Sequence, residues 1–198
     1  MSGFVGICSF KKILSNEQEI TKEMNLKLQK KESENDGYFF DKNINLGYRE
    51  IKIDKENEKQ PMSIKLNEIT YTIVFNGRIY NKNEIKDELE GLGYYFEGCS
   101  DQEILLKTYI EFGPQMVKKI NGVFSFGIWN DKKKELLLAR DHFGIKPLFY
   151  TLINDTLIFS TEIKAILCYP VVTAKINNEG IGELFGLRTC SYTRMYNI

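Results

Sequence analysis

The sequence predicts an α+β fold, with stacked sheets and helices on the outside. Three observations carry this. Short apolar or alternating runs suited to strands are grouped together, capped amphipathic runs fall in blocks of their own, and no internal repeat recurs. At 198 residues, 42% apolar and 13% aromatic, the chain can bury a substantial core as one domain, or one domain plus a fragment.

Residues 3–10 are short, apolar and glycine-bearing, which suits a buried strand. Ser15 and Gln18 form a capping box before Ile20, Met24 and Leu28, predicting a helix over about 16–30. The polar run "KKESENDG" (30–37) reads as a loop, followed by strands near 37–40, 45–53 and 69–75. Asn81 and Glu84 repeat the capping pattern before Ile85 and Leu89, with Gly91 or Gly93 as stop signals. Ser100 and Glu103 do so again, with Gly113 closing that helix and Pro114 opening a short successor. "GVFSFGIWN" (122–130) and "ELLLARD" (135–141) flank the polar "DKKK", a hairpin signal. Strands near 148–152 and 156–160 pair across Asn154 and Asp155, and "STEIKAIL" (160–167) reads as a short helix capped by Ser160.

Composition narrows the function classes. Lys+Arg and Asp+Glu are both 27, so no overall charge favours nucleic acid. No apolar stretch approaches the roughly 20 residues of a membrane span, and the amino end lacks signal-peptide character, so a cytoplasmic address is expected. Cys8, Cys99, Cys168 and Cys190 form no C-x-x-C pair, and His142 is the single histidine. Zinc, disulfide and Ser/His/Asp chemistries therefore have little to draw on. Trp129 and the phenylalanines of 124–126 read as core or sheet surface. Arg140, Asp141 and Lys146 read as a buried ion pair and a turn between strands.

Eight stretches occur in a telling order: "MSGFVGI", "LGYREIKI" (46–53), "QPMS" (60–63), "VFNGRIYN" (74–81), "GCSDQEILL" (98–106), "INGVFSFGIWN" (120–130), "LARDHFGIKPLFY" (138–150) and "FSTEIKAIL" (159–167). In this the chain resembles the amino-terminal glutaminase domain of glutamine-dependent asparagine synthetases, a class II glutamine amidotransferase of the N-terminal-nucleophile hydrolase superfamily. The resemblance covers residues 1–170, leaving 171–198 as the start of a connection to a synthetase domain. It implies a four-layer αββα sandwich of two antiparallel sheets.

The resemblance also implies a chemistry and its residues. The residue after Met1, a cysteine in the family, would attack the side-chain amide of L-glutamine, with its own amine as general base. Asn76 and Gly77 would form the oxyanion hole, Arg49 would hold the substrate carboxylate and Asp101 its ammonium. No cofactor belongs to this part. ATP and magnesium would serve a synthetase domain, for which these residues contain no "SGG-x-DS" loop. That domain, in the same or another chain, is the expected partner, and a homodimer is compatible with the pattern.

Four departures bear on activity. Position 2 is Ser, a weaker nucleophile than a thiolate near neutral pH. Arg78 stands where the family has a Glu that helps bind the substrate ammonium; a cation 4 Å from that ammonium would be repelled by roughly 4 kcal/mol at an effective dielectric of 20. The family's "RGPD" loop reads "KESE" (31–34), and the tail 186–198 lacks the usual Gly/Pro-rich run. These changes predict slow glutamine hydrolysis or none, and an inactive domain with a structural or binding role is the alternative. A serine introduced to trap glutamine would explain position 2 but neither Arg78 nor "KESE".

Overall fold

The computed structural model describes residues 2–14, 17–28, 35–50 and 59–175. Among the described residues nine strands form two antiparallel sheets: β1 (Gly3–Ser9), β2 (Asn35–Phe40), β3 (Ile44–Glu50), β4 (Met62–Leu66), β5 (Ile69–Ile79), β6 (Gly122–Asn130), β7 (Glu135–Arg140), β8 (Phe149–Ile153) and β9 (Thr156–Ser160). The first sheet has order β2-β3-β1-β9-β8, the second β4-β5-β6-β7. Helices α1 (Glu17–Lys27), α2 (Lys82–Gly91), α3 (Asp101–Phe112) and α4 (Ile163–Ile166) lie outside them, with a 3-10 helix at Gly113–Lys118.

Side-chain alternation builds the layers, because successive residues of a strand face opposite sides. In β1, Val5 and Ile7 meet Met24, Leu28 and Ile166 of the outer helices. Phe4 and Cys8 face inward and join Leu46, Tyr48, Val74 and Trp129 between the sheets. On the far side of the second sheet, Ile73, Phe75 and Ile79 pack on Ile85, Leu89 and Leu105 of α2 and α3. The result is the expected four-layer αββα sandwich.

The elements differ from expectation in instructive ways. Ser15 and the loop 31–34 lie outside the described residues, as do 51–53 of the expected 45–53 strand and residues 176–198. Strand β4 has no counterpart in the sequence reading; its turn places Asn67 and Glu68 at φ 49 and 62, without the Gly that signals such hairpins. Strand β5 does not stop at 75 but runs through Asn76-Gly77, because Gly77 stays paired with Phe124 of β6. Asn81 does not cap α2 with its side chain: it accepts from the Asn121 amide at 2.9 Å and donates to Lys119 O at 2.9 Å. Ser100 does cap α3, accepting from the Glu103 amide at 3.1 Å. Near α4, Ser160 Oγ accepts from the Glu162 amide, one residue ahead of the helix. The β8–β9 turn falls at Asn154 and Asp155, with φ 47 and 64.

Candidate functional site

The site begins with the two ends that the sandwich brings together. Phe4 of β1 faces between the sheets and Gly3 faces the outer helices, so Ser2 returns to the inter-sheet side. There Ser2 Oγ donates to Asn76 Oδ1 at 3.1 Å, a contact across 74 residues of sequence. Asn76 is buried, and its Nδ2 has no partner among the described residues.

The backbone of β5 makes this spot unusual. Beyond Ile73 the strand has lost β4 as a neighbour, so one edge carries unpaired amides. The Tyr80 amide donates to Asn121 O on the β6 side, so in a two-residue repeat the amides of Phe75, Gly77 and Ile79 point to the open edge. Phe75 N–H donates to Gln60 Oε1 at 2.7 Å, and Ile79 N–H donates to Asp101 Oδ2 at 3.0 Å. The Gly77 N–H between them has no partner among the described residues. A half-buried edge amide left open between two capped ones is a donor available to a ligand oxygen.

Gly77 must be glycine for this geometry. Its φ is 152°, and a Cβ there would lie 2.2 Å from Val123 O and 2.7 Å from Phe124 Cα. Without a Cβ the chain approaches β6 closely while staying extended.

The remaining residues singled out in the sequence are placed less simply. Arg49 pairs with Gly3 in the β1–β3 register, one residue from Ser2, but it shares the outer-helix face of Gly3. Its guanidinium Nε lies 3.4 Å from Asp36 Oδ1, and Nη1 donates to Asn25 O at 3.3 Å. Asp101 opens α3, and besides taking the Ile79 amide it lies 3.5 Å from Lys82 Nζ. Its Oδ1 is buried with no hydrogen bond. Arg78 is exposed, and among the described residues its side chain meets no partner. Gln60 and Thr161 support the site without a site role legible in the sequence. Thr161 Oγ1 accepts from the Phe4 amide at 3.2 Å and fixes the start of β1. The available signal for Gln60 was its place in "QPMS", a polar residue ahead of a proline where the chain must turn.

The expected ion pair among Arg140, Asp141 and Lys146 does not form. Asp141 is buried and accepts instead from the amides of Phe124, Phe143, Ile145 and Lys146 at 3.3, 3.2, 2.9 and 3.0 Å. Burial pushes its carboxyl up, but the four amide donors together outweigh this and hold it below the usual carboxylate range. Backbone dipoles do here what a cation was expected to do. The loop borders a cavity of about 540 Å³ lined by Arg140, Phe143, Ile145, Thr161 and Lys164, among others.

The comparisons with known proteins agree with this fold. Residues 1–197 match the glutamine amidotransferase domain family, and the chain belongs to that family. It is 37% identical over 188 residues to the Bacillus subtilis asparagine synthetase [glutamine-hydrolyzing] 3, covering 94% of this chain and 31% of that protein. Asparagine synthetase [glutamine-hydrolyzing] 1 of the same organism is 42% identical over 170 residues, covering 84% of this chain and 27% of its own. The chain therefore spans about a third of the length of these relatives. Among solved structures, glutamine phosphoribosylpyrophosphate amidotransferase from B. subtilis superposes with a TM-score of 0.67 at 20% identity, over 84% of this chain and 43% of that one. That likeness is one of fold. No helix among the described residues is long and apolar enough to cross a membrane.

Proposed function

We propose that this chain is the glutaminase part of a cytoplasmic asparagine synthetase-like protein, weakened in its hydrolysis of L-glutamine. Residues 1–170 form the amidotransferase domain and 171–198 lead toward a synthetase partner, in the same chain or another, where ATP and magnesium are used. The observation that carries the reading is the Ser2 Oγ contact with Asn76 beside the uncapped Gly77 N–H.

The chemistry uses these groups in turn. With Met1 removed, the Ser2 amine takes the hydroxyl proton as Oγ attacks the amide carbon of the substrate side chain. Negative charge builds on the carbonyl oxygen, to which the Gly77 N–H and Asn76 Nδ2 would donate. The C–N bond breaks, the amine returns its proton to the leaving ammonia, and an ester on Ser2 remains. Water then adds to that ester, releasing the carboxylate and restoring the hydroxyl. Glutamate and ammonia are the products from glutamine.

The weakness has two sources. A hydroxyl is a poorer nucleophile than a thiolate, and Arg78 repels the α-ammonium of glutamine. Arg49, as holder of the substrate carboxylate, must also release Asp36 or share it. The test is glutamate release from L-glutamine by protein whose Met1 removal is verified by intact mass. Low turnover in wild type, little gain in Ser2→Cys and a larger gain in Ser2→Cys with Arg78→Glu are expected. Full turnover restored by Ser2→Cys alone would overturn the charge argument. Silence in every variant would favour a domain retained for structure or binding.

A further inference from the structure

Strand β8 ends the first sheet, and the hydrogen-bond pattern fixes which of its groups are left over. The Thr161 amide donates to Phe4 O at 3.0 Å and the Phe10 amide to Asp155 O at 3.3 Å, so the odd-numbered residues of β9 bond to β1. The even-numbered ones, Thr156, Ile158 and Ser160, then bond to Ile153, Thr151 and Phe149 of β8. Tyr150 and Leu152 therefore turn both N–H and C=O to the outer edge, where no strand among the described residues meets them.

Their side chains are left over as well. Opposite Phe159 and Leu157 they lie on the face turned toward the second sheet, yet Tyr150 is 68% and Leu152 61% exposed. The other outer strands carry charge: Asp36 in β2, Lys65 in β4, Glu135 and Arg140 in β7. Charged residues of this kind keep a sheet edge from pairing with another chain. Strand β8 has none, and its aromatic, β-branched and aliphatic residues all suit an extended backbone.

We propose that β8 pairs with β8 of a second copy of this chain, antiparallel about a two-fold axis at Thr151. In that register Tyr150 of each copy stands opposite Leu152 of the other. These are the residues whose N–H and C=O face outward, so both pairs exchange both backbone hydrogen bonds, and Thr151 meets its own copy as the non-hydrogen-bonded pair between them. Each Tyr ring also lies against a Leu across the axis. Two side chains of this size and exposure, with the strand backbone, bury on the order of 400 Å² per copy. The total stays below the roughly 1,200 Å² of a standard interface, so association is weak and concentration-dependent. Pairing consumes β8, and the outer strand left to the joined sheet is β2 with its Asp36, so assembly closes at two copies.

The test is sedimentation of the full chain over a concentration series, with amide hydrogen exchange measured at both ends of it. A monomer–dimer equilibrium in the micromolar range is expected, with exchange at Tyr150 and Leu152 slowed at least tenfold in the dimer. Tyr150→Lys with Leu152→Lys sets like charges directly opposite one another and should weaken association more than tenfold. Both side chains are exposed, so the variant should keep the wild-type melting temperature. Leu66→Lys, on the outer strand of the second sheet, should leave the dimer unchanged. A chain that stays monomeric up to about 1 mM would overturn the proposal. So would a dimer that survives the double substitution, or one in which Tyr150 and Leu152 exchange as fast as in the monomer.

Discussion

The Asp141 loop and the open edge of β5 both use buried side-chain oxygens to hold backbone amides, but they differ in completeness. At Asp141, one carboxylate takes amides from Phe124, Phe143, Ile145 and Lys146. At β5, Gln60 and Asp101 cap the amides on either side of Gly77 and leave the middle one open. "RDHFGIKP" and "FNGRIY" look equally rich in functional residue types. Counting amide partners separates scaffold from site: a closed set of bonds stabilises, whereas an incomplete set retains the capacity to bind.

The largest expected effect tests the closed set. Asp141→Ala leaves four amides without their acceptor and should destabilise the fold by about 4 kcal/mol, read from chemical denaturation. Because the native carboxyl is held below its unfolded value of 3.8, its contribution is fully present above that value. It is lost as pH falls through the lower native value. Wild type should therefore lose stability in that acid window, and Asp141→Asn should show a flatter profile there. An unchanged profile in Asp141→Asn would mean that the loop is held by other contacts.

Gly77→Ala comes next and tests why the strand edge tolerates an open amide. The new methyl would meet Val123 O at 2.2 Å, so β5 and β6 must separate locally. A loss of about 3 kcal/mol is expected, with ligand-induced shifts at this amide abolished. Gln60→Ala follows at about 2 kcal/mol, since it strips the acceptor from the buried Phe75 amide. Gln60→Glu, which keeps an oxygen at that position, should recover most of the loss. If Gln60→Ala melts like wild type, the capped amides are not what keeps the edge in place.

How much of this was legible in the sequence follows from the range of the interactions. The β6–β7 hairpin, the Asn154-Asp155 turn and the Ser100 cap rest on bonds between near neighbours, and they appear where local patterns put them. The resemblance located Ser2 and Asn76, but their contact spans 74 residues and needs two sheets to be stacked. Gln60 was invisible as a cap because the amide it serves lies 15 residues away on another element. Asn81 misled for a related reason: its side chain had a better offer from the 119–121 segment than from its own helix. Strand β4 was hidden by a turn that uses Asn67 and Glu68 instead of Asn-Gly.

The smallest expected effect sharpens the comparison through a second glycine. Gly144 lies in the Asp141 loop at φ 63, and a Cβ there would approach nothing closer than the Arg140 guanidinium at 3.5 Å, ordinary contact. The cost of Gly144→Ala is therefore conformational alone, about 1 kcal/mol for an L-residue in the left-handed region, offset in part by a less flexible unfolded chain. Gly77→Ala adds a collision with backbone to a similar conformational cost. A loss at position 144 as large as that at position 77 would show that the Asp141 loop tolerates no adjustment, despite its open surroundings. The expected smaller loss would show that, of these two glycines, the one at the strand edge where the Ser2 and Asn76 side chains meet is the one held by close approach.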